Sequence, residues 1–144
     1  MLSSAHHNYV STDERKKVVD RDVNGDGKLD LVTANSDSNN LGVHIGRGDG
    51  TFAAVRLSPT CEFPVGLAVA ELTGDNKPDA VVQCAGSKRS QALMGSGDGG
   101  FVPSPRLLSQ GTALVVGDVN ADLKPDLLIA DSGAPLQVLL NTRK

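Results

Sequence analysis

The sequence predicts an all-β protein assembled from a repeated antiparallel unit, and three observations carry that prediction. A nine-residue loop recurs three times without gaps, as DVNGDGKLD at 22–30, ELTGDNKPD at 71–79 and DVNADLKPD at 118–126, with starts 49 and 47 residues apart. Each copy is flanked by short apolar runs rich in Val, Leu and Ile and bounded by Gly, Asn, Asp and Pro, which is the chemistry of strands rather than helices. The 16 glycines and 7 prolines are spread along the chain, so turns separate many short elements instead of collecting in one linker.

Taken in order, the first strand of each unit is predicted at 17–19, 66–70 and 113–117, just before its loop. A second follows the loop at 31–34, 80–83 and 127–130, and a third at 42–46, 91–95 and 136–140. Pro78 and Pro125 fall at the start of a second strand, where a missing N–H matters least. In the first two units the third strand runs into a glycine turn, GDGTF at 48–52 and GDGGF at 97–101, and then into a fourth extended piece. The last unit ends after its third strand at Asn141, and residues 2–10 are a candidate outer strand able to complete a neighbouring unit. The repeats are thus read as about 14–62, 63–110 and 111–144 of a single domain, 1–144. A four-stranded unit of ~40 to 50 residues has the size of a propeller blade.

Here the residues carry a family resemblance. The pattern D-x-N-G-D-G-K-x-D-L followed by G-x-G-D-G-T-F, as it stands in the first unit, resembles the FG-GAP/VCBS repeats, propeller repeats also seen in the heads of integrin α chains. The resemblance covers nearly the whole chain after about residue 16. It implies a β-propeller of four-stranded antiparallel blades, calcium in the turn between the first two strands of a blade, and an extracellular or cell-surface setting. A closed ring takes about four to eight blades. Three blades would leave two apolar faces in water, so the expectation is a partial propeller, completed by a head-to-tail dimer of six blades or by further repeats of a longer chain.

The loops themselves point to calcium. Calcium takes about six to eight hard oxygen ligands, and its loose geometry suits a flexible loop with oxygens at alternate positions. In the first loop Asp22, Asn24, Asp26 and Asp30 are the side-chain donors, with Lys28 giving its backbone carbonyl. The third loop keeps Asp118, Asn120, Asp122, Lys124 and Asp126 but has Ala121 and Leu123 where the first has glycines, so its turn must tolerate side chains. In the second loop the matching donors are Glu71, Thr73, Asp75, Lys77 and Asp79, with Asn76 at the sixth position; whether it binds an ion or is only a turn stays open. An EF-hand is rejected, because the twelfth position is Thr33 rather than a bidentate Glu and both flanks are strands.

Other signals are discounted. Residues 95–100 match G-x-G-x-x-G, but Phe101 to Pro105 cannot form the helix a dinucleotide site needs, so a hairpin turn is expected. Arg47-Gly48-Asp49 lies where the repeat demands a turn and is read as incidental. No catalytic constellation is visible, so the expectation is a non-enzymatic scaffold or interaction module with a protein or glycan ligand. The alternatives are a calcium-dependent lectin binding glycans between blades and a fragment of a propeller-containing enzyme. The net charge of −3 and the single short basic run beside Asp13 and Glu14 argue against nucleic acid, and no run approaches the ~20 apolar residues of a spanning helix. Cys61 and Cys84 read equally as two buried thiols or one disulfide. Met1 to His7 lacks the apolar run of a secretory signal, so an exported parent would have lost its signal or the chain begins downstream of it.

Overall fold

A computed structural model describes residues 16–143, in which every regular element is a β-strand. The candidate outer strand at 2–10 lies outside these residues. The first sheet contains β1 (Lys16–Arg21), β2 (Asp30–Asn35), β3 (Asn40–His44) and β4 (Arg56–Pro59), in that spatial order. The second repeats this plan with β5 (Pro64–Ala70), β6 (Asp79–Cys84), β7 (Arg89–Gly95) and β8 (Phe101–Gln110). In the third, β10 (Asp126–Asp131) is central between β9 (Ala113–Gly117) and β11 (Ala134–Leu139). Within each sheet consecutive strands pair side by side, and every pairing is antiparallel.

One implication of the resemblance needs correction: the third sheet has three strands among the described residues and is not a four-stranded blade, in keeping with a unit that ends after its third strand, and residues 141–143 bond to the second and third loops. Pro78 and Pro125 stand immediately ahead of β6 and β10, so neither removes a ladder hydrogen bond.

The period-two alternation of strands decides how the sheets meet. Along β6, Ala80, Val82 and Cys84 join Val32, Leu41 and Val43 of the first sheet in one core cluster, whereas Val81 joins Leu127 and Ile129 of the third. The middle sheet is therefore apolar on both faces, and β6 is buried along its whole length. In the outer sheets burial is uneven: β2 is buried at four of its six positions, whereas β11 is largely exposed.

The two cysteines form a disulfide, with Cα atoms 5.9 Å apart, that ties the segment between β4 and β5 to the end of β6. Closing a loop of this length stabilises a fold by about 3 kcal/mol through the unfolded chain. Residues 96–100 make a tight turn in which the Ser96 N–H donates to the Gly100 carbonyl, and β8 begins directly after it. The helix a dinucleotide site requires is absent there, as expected. Arg47 sits in the equivalent turn of the first sheet, its N–H donating to the Thr51 carbonyl.

Candidate metal centres

The three acidic loops join β1 to β2, β5 to β6 and β9 to β10 at corresponding places in the three sheets. In the first, alternate oxygens fold back on the loop's own amides. Asp22 accepts from the Gly25 N–H through Oδ1 (2.7 Å) and from the Gly27 N–H through Oδ2 (2.8 Å). Asn24 Oδ1 accepts from the Asp26 N–H at 3.1 Å, and Asp26 Oδ1 from the Lys28 N–H at 2.9 Å. These are successive Asx turns, and they set side-chain oxygens at every second residue around a tight curve.

That curve needs left-handed backbone at the fourth and sixth positions, which Gly25 (φ 78°) and Gly27 (φ 79°) adopt without strain. The third loop makes the same curve with Ala121 at φ 62° and Leu123 at φ 65°. An L-residue in this region costs ~1–2 kcal/mol, so the third loop holds its shape against its own sequence. Its bonds match those of the first: Asp118 Oδ2 accepts from the Leu123 N–H at 2.8 Å, Asn120 Oδ1 from the Asp122 N–H at 3.2 Å and Asp122 Oδ1 from the Lys124 N–H at 3.0 Å.

The second loop keeps only part of this pattern. Asp75 Oδ1 accepts from the Lys77 N–H at 2.9 Å, and Gly74 and Asn76 take the two positive φ values. Glu71, one methylene longer than Asp22, accepts from the Gly74 N–H through Oε1 and turns Oε2 to the Arg143 guanidinium at 2.6 Å. Its outer oxygen thus bonds to a cation of the protein where Asp22 bonds to its own loop.

The ninth-position aspartates have a role that the sequence reading missed. Asp30 is fully buried; its Oδ2 accepts from the Val23 N–H (2.9 Å) and its Oδ1 from the Gly46 N–H (2.8 Å). Asp79 does the same with Leu72 (3.0 Å) and Gly95 (2.9 Å), and Asp126 with Val119 (3.0 Å) and Asn141 (2.7 Å). Each aspartate clamps the start of its loop to the end of the third strand. The signal was present in Gly46 and Gly95, which close the third strand so near the loop that an added Cβ would lie 2.0 Å from the Leu29 or Pro78 carbonyl oxygen.

The consequence for a metal is specific. Among the described residues, no three His, Cys, Asp or Glu side chains converge as a ready-made cage. The loops supply alternate hard oxygens on a curved backbone, which fits calcium, while the ninth aspartate is engaged in the clamp. Each carboxylate oxygen has a second lone pair, so a clamped aspartate retains acceptor capacity.

The electrostatics follow these bonds. The Gly27 N–H is the largest influence on Asp22; desolvation opposes it, and the carboxyl lies below its usual 3.8. For Glu71 desolvation is the largest influence and pushes upward, but the Gly74 N–H and Arg143 outweigh it and the net shift is down. Across the turns, Arg56 reaches from β4 to Asp98 at 3.3 Å. The Ser96 hydroxyl and then the Gly100 N–H hold that carboxyl down to about 2.

Residues 22–82, from the first loop through most of β6, match the family model described as the FG-GAP-like repeat. The resemblance read from the sequence is borne out in that form. A comparison with curated proteins gave no match.

Proposed function

We propose that this chain, whose residues 22–82 match the FG-GAP-like repeat, is a calcium-stabilised, propeller-type scaffold, non-enzymatic, whose sheets are blades. The observation that carries the reading is the recurrence of the first loop's oxygen-lined, left-handed curve in the third, at a strain cost. In the first loop the ligands are Asp22, Asn24, Asp26, the Lys28 carbonyl and Asp30; in the third, Asp118, Asn120, Asp122, the Lys124 carbonyl and Asp126. A bound ion supplies positive charge that lets clustered carboxylates sit together, and so fastens the hairpin that carries them. Calorimetric titration of the intact chain with calcium tests this: saturable uptake supports it, and an absence of binding at millimolar calcium sinks it.

The interaction role rests on the outer faces. Val19, Val32, Leu41 and Val43 of the first sheet correspond by the repeat to Val115, Leu128, Leu136 and Val138 of the third. The first set is inward; in the second set Val115 is 60%, Leu136 59% and Val138 43% exposed. A second copy, placed head to tail, would cover this face with its own first sheet. That receiving face is the more polar, with Asp20 and His44 where the middle sheet has Val69 and Leu93, so the contact would be mixed in character. Light scattering after size exclusion tests the assembly: a monodisperse monomer of 14.9 kDa contradicts it.

The disulfide favours an oxidising, extracellular or cell-surface setting. A glycan-binding reading draws on one feature, a cleft of about 340 Å³ between the second and third sheets, lined in part by Gln83, Lys88, Thr112 and Asp131. Glycan-array binding abolished by a calcium chelator would favour it over a purely structural role.

A further inference from the structure

The second loop departs from the other two at its first residue, and the departure has a partner 72 positions away. Glu71 stands where Asp22 and Asp118 stand, and its Oε2 accepts from Arg143 Nη1 at 2.6 Å in a pair whose side chains are only about a quarter exposed, 25% and 26%. The guanidinium stem lies over the loop, with Arg143 Cδ 3.4 Å from where a Cβ on Gly74 would be. Arg143 is itself held from both sides. Its carbonyl accepts from Lys124 Nζ of the third loop at 2.6 Å, and its N–H donates to Asn141 Oδ1 at 3.4 Å. Asn141 in turn donates through Nδ2 to the Leu72 and Pro125 carbonyls, both at 3.2 Å, one from each loop.

We propose that the Arg143 guanidinium is the built-in cation of the second loop: it neutralises and orients the Glu71 carboxylate as calcium would, and it excludes calcium from that loop. A planar guanidinium suits this place because it carries several donors in fixed directions and stays charged at every accessible pH. The extra methylene of Glu71 is what lets its carboxylate leave the loop and meet that partner. Position three agrees, for Thr73 supplies a hydroxyl that donates toward Glu71 at 3.5 Å where Asn24 and Asn120 present amide oxygens. The segment 141–143 therefore acts as a strap that closes the second loop and fastens it to the third. The exclusion half of this proposal rests on the calcium reading above; the neutralising half does not.

The experiment uses the intact chain and the variants R143Q and E71D, the latter restoring the shorter carboxylate of the other loops. In chelator, the thermal midpoint of R143Q is expected below wild type, and an unchanged midpoint overturns the proposal. Native mass spectrometry in calcium is expected to count two ions on wild type and three on E71D or R143Q. Three ions on wild type, or two on both variants, overturns the exclusion. If no chain binds calcium, the calcium reading has failed, and the chelator midpoint alone decides whether Arg143 is the loop's cation.

Discussion

The first and second loops share their lysine, their fourth-position glycine and both distal aspartates, yet they neutralise their charge by different means. Asp22 turns both oxygens to amides of its own loop, and among the described residues no protein cation is bonded to it. Glu71 turns one oxygen outward to Arg143. The difference shows how little a repeat has to change for one copy to be closed by the fold itself. It also separates two jobs that a loop motif confounds: the aspartate at position nine clamps the hairpin in every copy, and, on the reading proposed above, the residue at position one decides what cation the loop takes.

The largest effect should fall on what the two loops share. Asp30→Ala and Asp79→Ala each strip the acceptors from two backbone N–H groups, and each such loss costs ~1–3 kcal/mol. Denaturant unfolding in chelator should therefore show both variants destabilised by about 2–6 kcal/mol. A mild Asp79→Ala beside a severe Asp30→Ala would mean that the clamp is not common to the loops.

Next comes the contrast itself. Ligand bound to the folded state alone stabilises by about 2.7 kcal/mol at a hundredfold excess over Kd. Asp26→Ala should reduce the calcium-dependent rise in thermal midpoint, and Asp75→Ala should leave it as in wild type. The reverse order would invert the comparison.

Smaller again is the relief of backbone strain. Leu123, 93% exposed at φ 65°, gains nothing from burial, so Leu123→Gly should raise stability in chelator by up to ~1 kcal/mol, part of it offset by the freer unfolded chain. Asn76→Gly should gain less, since asparagine tolerates left-handed geometry. Equal gains would mean that the third loop is no more strained than the second.

The smallest effect is a pH dependence. Glu71 has its folded pKa below its usual 4.5, so its contribution is complete above that value and is lost as pH falls through the folded pKa. In chelator, R143Q should flatten this acid arm of the stability curve below about pH 4.5. An arm identical to wild type would deny the pairing a role in holding Glu71 ionised.

Much of the fold was legible because strands and turns are local. The runs at 66–70 and 113–117 became β5 and β9 with little or no change of boundary, since Gly, Asp and Pro punctuate them. The curve of the acidic loops was legible for the same reason, down to the two positions where Ala121 and Leu123 replace glycine. What stayed hidden is tertiary. Asp30 reads as a calcium ligand from its spacing, while its clamp on Gly46 appears only when β3 returns beside β2. Arg143 lies far along the chain from Glu71, and no periodicity joins them. The cysteines left two readings because loop length does not reveal distance, and the β4–β5 segment settled it by bringing Cys61 to Cys84.

The central claim, that calcium fastens the first and third loops, is tested most directly by thermal unfolding of wild type and the double variant D26A/D122A, each in calcium and in chelator. The account predicts a higher midpoint in calcium for wild type and none for the double variant, with the two chains similar in chelator. An unchanged wild-type midpoint, or a calcium-dependent rise that survives in the double variant, would contradict it.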